Sequence, residues 1–316
     1  MSNTAESAAS AQFCAHQAYD YALVDVFAER PLEGNQLAVF SDARGLSTEE
    51  MQSLAREINL SETTFILPRD TATERERGVQ VRIFTVAEEL RFAGHPTLGT
   101  ASWLYWNHPT LRGVEEITLD LPVGPIPVRF LPPQPEEPGV FATMRQNDAV
   151  FGNVHDNRVA LAAALGLTID DLDPHLPAQT VSTGMPFCIV PLKSLDVAAR
   201  LAIPQHAARA YIERSDAKFF HCITRAARDS GADWHARMQF YNGEDPATGS
   251  ASGCAISWLV RHGLAASGQT TIIEQGIEMR RPSRIHVSAT LEDDQVTKVC
   301  VGGRTIPVAN GRFFLQ

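Results

Sequence analysis

From Tyr19 onward, apolar and polar positions alternate in short runs, the pattern of half-buried strands. YALVDVFAE reads as a strand, residues 31–35 (PLEGN) punctuate it, and QLAVF reads as a second strand. The period then changes. Ser47 precedes TEEMQSLAREIN with Glu50 at the capping-box position, which predicts a helix to about Asn59. TTFILP, VQVRIFT and EELRFAG return to strand patterning, and HPTLGTASWLYWNH predicts a helix with Leu98, Ala101 and Leu104 or Tyr105 on one face. EEITLDLPVGPIPVRFLP predicts two strands about a Pro/Gly turn.

Residues 132–139 (PPQPEEPG) are the best linker signal in the chain, and beyond them the order starts again. FATMRQ, QTVSTGMPFCIVPL (broken at Gly-Met-Pro), KFFHCITRA and HARMQFY read as strands; VALAAALGL, LDVAARLAI and HAARAYIERS read as helices. A small-residue loop, GEDPATGSASG, opens the apolar helix CAISWLVRHG, and TTIIEQG, RIHVSATLE, QVTKVCVGG and RTIPVANGRFFLQ close the chain as strands. Each half is thus mostly strand with one apolar helix. The helix openings also resemble one another: His95–Ala101 and Asp245–Ala251 both read X-Pro-x-x-Gly-(Ser/Thr)-Ala, and an Arg-centred strand, with Arg82 or Arg237, precedes each. Internal similarity of this kind predicts two domains on one plan, with matching loops facing across a cleft.

Length agrees, because 316 residues are long for one compact core. The expected division is a disordered tail over 1–18, an N-terminal domain over 19–131, a C-terminal domain over 132–300 and a closing segment over 301–316. The net charge of −10 is spread without acidic blocks, which disfavours nucleic acid or an anionic membrane as partner. No apolar run is long enough to cross a bilayer, and the first residues lack the pattern of a signal peptide. Five widely spaced cysteines without a C-x-x-C pair fit a reducing compartment, so a cytoplasmic location is expected. Ten histidines show no H-x-x-x-H or H-x-H spacing, and neither a Walker loop nor G-x-G-x-x-G is present; no metal and no cofactor are expected. Acid–base chemistry without a cofactor remains.

Three residues stand out for such chemistry. His95 and Asp245 hold the variable position of the two loops, where free amides at converging helix N-termini would receive a carboxylated ligand. On residue type alone, both equally fit turn caps beside a proline. Glu62, in NLSETTF, lies between a helix end and an apolar strand. It reads either as a solvated loop carboxylate or, in an apolar cleft, as an acid/base whose pKa burial would raise.

The set VDVFAERPLEGNQLAVF, NLSETTFIL, RIFTVAEELRFAGHPTLGTA, STGMPF, GEDPATGSASG and QGIEMRRPSRIHV, in this order, resembles the PhzF-like family, named for a phenazine-biosynthesis isomerase. The resemblance covers the chain from about Tyr19. It implies an α+β fold shared with diaminopimelate epimerase: two similar domains, each a curved β-barrel around a central helix, with the active site in the interdomain cleft. The end of the chain would return to the first domain, and a homodimer is common for the fold. It further implies a cofactor-independent isomerase that moves a proton within a small carboxylated metabolite. Glu62 would be the acid/base, His95 and Asp245 its polar partners, and Gly94, Gly249, Ser250 and Ala251 the sources of amides for the substrate carboxylate. Racemases and epimerases of this fold use two thiols, one at each helix end; here Gly94-His95 and Asp245 hold those places. A dehydratase or epimerase on the same fold, and a silent small-molecule binding protein, are the alternatives. The chain departs from the family pattern at TVAEEL, in the short RMQFYNGEDP, and at Arg280, where a small glycine is common.

Overall fold

The computed structural model describes residues 17–132, 136–240 and 243–315. The first half runs β1 (Gln17–Val26), β2 (Asn35–Phe40), α1 (Thr48–Ile58), β3 (Glu62–Leu67), α2 (Thr71–Arg77), β4 (Val79–Phe84), β5 (Glu89–Leu90), α3 (Gly94–Asn107), β6 (Glu116–Leu121), β7 (Gly124–Phe130) and β8 (Val140–Arg145). The second runs β9 (Val150–Val154), α4 (Arg158–Ala164), β10 (Gln179–Ser182), β11 (Pro186–Pro191), α5 (Leu195–Ala199), α6 (Gln205–Ile212), β12 (Phe219–Thr224), β13 (Trp234–Phe240), β14 (Gly243–Asp245), α7 (Gly249–Arg261), β15 (Thr271–Gln275), β16 (Ser283–Glu292) and β17 (Gln295–Leu315).

Seven strands of the first half and β17 close into a barrel in the order β1, β2, β3, β4, β6, β7, β8, β17 and back to β1. Only β2/β3 and β4/β6 are parallel in this barrel. Inside it lies α3, whose expected apolar face is buried together with nearly all the rest of its surface. A helix apolar all round belongs at the centre of a core, and the strands bury it from every side. In the second half a ladder passes from β17 through β16, β15, β13, β12, β11 and β10 to β9, again with two parallel pairs, β11/β12 and β13/β15. Backbone bonds from Gln146 to Val299 O and from Ala149 to Val296 O bring it back to β17. At its centre is α7, buried from Gly249 to Val260 except for the half-buried Ser250.

The two halves therefore share a topology, and the shared spacing is finer than the loop motif indicates. One spacing separates Arg82 from Arg237, Glu89 from Glu244 and Gly94 from Gly249. Arg82 grips Glu89 with Nε and Nη2 at 2.7 and 2.6 Å, and Arg237 grips Glu244 at 2.7 and 2.5 Å. The hydroxyls of Thr97 and Ser252 donate to Ala93 O and Thr248 O, and those of Ser102 and Ser257 to Leu98 O and Gly253 O, in the same register. In this register His95 falls opposite Ser250 and Asp245 opposite Leu90. The X-Pro-x-x-Gly-(Ser/Thr)-Ala similarity is thus out of register: the first copy lies within α3, whereas the second straddles the start of α7. Proline suits both a first helical turn and the lead-in before it, which is why the letters align while the conformations do not.

The two expected closing strands are one, because β17 runs unbroken for 21 residues, and its end, from Thr305, pairs with β1. Pro307 is accommodated by a register shift opposite Leu23 and Val24, where a bulge removes the need for its missing N–H. The expected tail lies outside the described residues up to residue 16; Gln17 and Ala18 pair with Leu315 and Phe314. Residues 133–135 of the expected linker also lie outside them. EELRFAG contributes only the two residues of β5. Helix α2, capped by Asp70, was not expected because it buries no residue and shows no apolar period. No described helix is long and apolar enough to cross a membrane.

Packing between α7 and the sheet is close at Gly253, where a Cβ would overlap Gln146 Oε1. Gln146 in turn donates to Gly249 O and accepts from Thr183 Oγ1. Gly253→Ala is expected to lower stability by about 1–3 kcal/mol through overpacking, read from the guanidinium unfolding midpoint.

Candidate active site

The closed barrels bring the two buried helices together end to end. A Cβ on Gly94 would lie 3.3 Å from Ser250 N and 3.2 Å from Met144 Cε, so the first turns of α3 and α7 abut. Neither end carries a side-chain cap: the N-cap of α3 is Ala93, and the Thr248 hydroxyl before α7 donates to Asp245 Oδ2 at 2.6 Å instead. Unsatisfied first-turn amides, with the dipole behind them, favour an anion between the helices. Gly94, Gly249, Ser250 and Ala251 all lie in these turns.

Around this point stand the three expected side chains. Asn59, in the left-handed conformation with φ +55°, ends α1, and the chain turns through Ser61 to put Glu62 at the start of β3. Glu62 is not a solvated loop carboxylate, since its side chain is 18% exposed and its Oε2 is buried with no hydrogen-bond partner. His95 Nε2, also buried and unpartnered, faces that oxygen at 3.6 Å. On its other side, His95 Nδ1 is 3.3 Å from Asn35 Nδ2. The same Asn35 amide donates to Asp245 Oδ1 at 2.7 Å and to Ala247 O at 2.9 Å. The structure thus unites Glu62, His95 and Asp245, from three distant segments.

Burial sets their charges. Glu62 is pushed up to about 8, first by loss of solvation and then by the Asp245 charge. Asp245 is raised to about 6 by burial, against the opposing hydrogen bonds from Thr248, Asn35 and Ser61. His95 is driven down to about 3 by burial, a bond to the Gln36 backbone opposing the shift, so its ring is neutral near pH 7. One carboxyl in the set is therefore poised near neutrality beside a neutral imidazole and a mostly ionised aspartate.

Two supporting residues were missed. Asn35, read as turn punctuation in PLEGN, ties His95 to Asp245 and Ala247. Gln275, at the end of β15, donates to Asp245 O at 2.7 Å and Thr248 Oγ1 at 2.9 Å and accepts from Thr248 N. Both lie in the family-like stretches, which was the available signal, but their roles depend on partners far along the chain. Arg280 sits at φ +58°, a left-handed position that explains why glycine suits it. Cys254 lies within α7, is buried against Thr183 Oγ1 and has its thiol pushed up to about 11, and neither helix start carries a cysteine. Among the described residues, no group of three His, Cys, Asp or Glu is placed to hold a metal ion. Two cavities of about 930 and 910 Å³ lie elsewhere and are not lined by Glu62, His95 or Asp245.

Paired barrels, each around a buried helix, with acid–base side chains where the helix ends meet, define an epimerase-like α+β fold. Residues 24–311 match the family described as phenazine biosynthesis-like protein, and the chain belongs to it. The trans-2,3-dihydro-3-hydroxyanthranilate isomerase of Pseudomonas aeruginosa is 36% identical over 299 residues, 93% of this chain and 99% of that one. An enzyme of the same name from Pseudomonas chlororaphis is 34% identical over 307 residues, 94% of this chain and all of that one. The PhzF-family phenazine biosynthesis protein of Bacillus anthracis superposes with a TM-score of 0.83 at 26% identity, over 95% of this chain and all of that one. A probable proline racemase from Agrobacterium radiobacter shares the fold alone, with a TM-score of 0.61 at 11% identity over 94% and 93% of the two chains. The relatives place this protein among the isomerases.

The buried carboxyl has a stability consequence. Glu62 keeps its proton to higher pH when folded than its ordinary 4.5, so between about 4.5 and 8 the unfolded chain binds fewer protons and stability falls as pH rises. Gln cannot ionise; Glu62→Gln is therefore expected to raise the Tm relative to wild type at pH 9 and to lose that advantage near pH 5, as measured by calorimetry.

Proposed function

We propose that the protein is a cofactor-independent isomerase that moves a proton between two carbons of a small carboxylated substrate, with Glu62 as the single acid/base. The observation that carries this reading is the facing pair of buried, unpartnered atoms, Glu62 Oε2 and His95 Nε2, beside two uncapped helix ends. The substrate carboxylate would take the amides of Gly94, Gly249, Ser250 and Ala251, in a cleft between the two barrels. Its acidic carbon would then lie against Glu62. The ionised Glu62 removes the proton, the electron pair moves into the adjoining unsaturation, and the Glu62 carboxyl, whose proton exchanges with solvent, protonates another carbon on the same face. His95 and Asp245 hydrogen-bond and orient the substrate, and the helix-end amides hold the developing charge, at greater effect than in water because the site is buried. Burial fits the task, because a carboxyl with a pKa near 8 both accepts and returns a proton near neutrality.

The first compound to test is trans-2,3-dihydro-3-hydroxyanthranilate, for which the relatives are named. In D₂O the product is expected to carry one solvent deuterium, and Glu62→Gln to slow turnover by about 100-fold or more. Exchange at the wild-type rate in the Gln variant would remove Glu62 from the role of base. Because the free enzyme must present an ionised Glu62, kcat/KM is expected to rise with pH and level off above about 8. A profile flat from pH 6 to 9 contradicts it.

A further inference from the structure

Between β15 and β16, the segment Gln275–Ser283 touches both loops that build the site. Toward the second half, Gln275 bonds Asp245 O and Thr248 Oγ1, and Ser283 Oγ donates to Pro246 O at 3.0 Å. Toward the first half, Arg281 Nε donates to Gly34 O at 2.9 Å, and its Nη2 donates to Glu33 O at 2.6 Å and to Asp25 Oδ1 at 2.7 Å. The other oxygen of Asp25 accepts from Leu32 N at 2.6 Å, and Gly34 N donates to Pro282 O at 2.8 Å. The turn 32–34 is therefore held on every side, and the next residue is Asn35. Resting on the site reading above, we propose that Arg281 is a positioning residue: through this turn it sets the Asn35 carboxamide and with it the His95–Asp245 pair.

The geometry favours a specific rather than a general structural role. The Asn35 amide nitrogen donates to Asp245 Oδ1 and Ala247 O and lies 3.3 Å from His95 Nδ1, so a small shift of its backbone breaks contacts to the second half. Arg281 spans the same divide from the opposite side. Its own N–H bonds Gly276 O, and Gly276 (φ +77°) is so close to Pro246 O and Arg281 O that no Cβ fits. The segment is thus a stiff rung between the Asn35 and Asp245 loops. The guanidinium fork reaches three acceptors in two directions, which an ammonium at the end of a flexible stem does not reproduce, even though it keeps a cation beside Asp25.

The test uses the full chain with Arg281→Lys, Asn35→Ser and the double variant. On trans-2,3-dihydro-3-hydroxyanthranilate, Arg281→Lys is expected to lower kcat by about 10- to 100-fold with KM within about threefold, as expected of a misplaced site. In the double variant the loss should be no greater than for Asn35→Ser alone, since Arg281 acts through Asn35. Independent multiplication of the two losses overturns the proposal. A second readout needs no substrate: hydrogen exchange of the Asn35 side-chain amide by NMR, assigned by its absence in Asn35→Ser. Arg281→Lys should accelerate that exchange at least about tenfold while the backbone amides of α3 stay protected, and unchanged exchange overturns the proposal. Arg304→Lys, which alters another interior arginine paired with Glu137, serves as the control and should change neither readout. Should the wild type not turn over this compound, the substrate assignment fails while the exchange measurement still decides the role of Arg281.

Discussion

Two buried helices that meet amide end to amide end impose the constraint on which this structure depends. Strands cover α3 and α7 along almost their whole length, and neither N-terminus has a capping side chain. The apolar packing around Leu98, Leu104, Trp258 and Leu259 holds the ends together against the electrostatic cost of facing two positive poles. That cost is what makes the junction receptive to an anion. Burial at this junction raises Glu62, lowers His95 and leaves both their inner atoms without hydrogen-bond partners.

The halves repeat a topology but not a chemistry. Glu62 stands beside Leu37 in the parallel pair β2/β3, and the matching place beside Phe187 in β11/β12 is held by Phe219. Likewise His95 on α3 is answered by Ser250 on α7. Duplicated barrels thus supply two helix ends, while only the first half carries Glu62. On the proposed reading, one base at one side of the junction returns a proton to the face from which it came. The two-thiol pair of an inverting enzyme is absent from these places, since neither Phe219 nor the first residues of α7 are cysteines.

Asymmetry also appears in what supports the site. The first half offers Asn35 on a tight turn, and the second offers Gln275, Arg281 and Ser283 on the segment between β15 and β16, which reaches back across the divide. Because β17 contributes to the ladders of both halves, motion between them is coupled through one continuous strand.

Much of the architecture was legible in local pattern. Ser47 and Glu50 announced α1, alternation announced most strands, and apolar runs after Gly/Pro-rich loops announced α3 and α7, because caps and periodicity are properties of neighbouring residues. Glu62, His95 and Asp245 were named as candidates from residue type and family-like motifs. Tertiary structure alone decided that they meet, that Asn35 joins two of them, and that burial removes Glu62 from solvent. It also corrected the register of the repeat, since the Arg82–Glu89 and Arg237–Glu244 pairs match in space where the Pro-containing letters do not. A sequence carries local preference directly, whereas the distance from Glu62 to His95 is set by a closed barrel whose strands come from both ends of the chain.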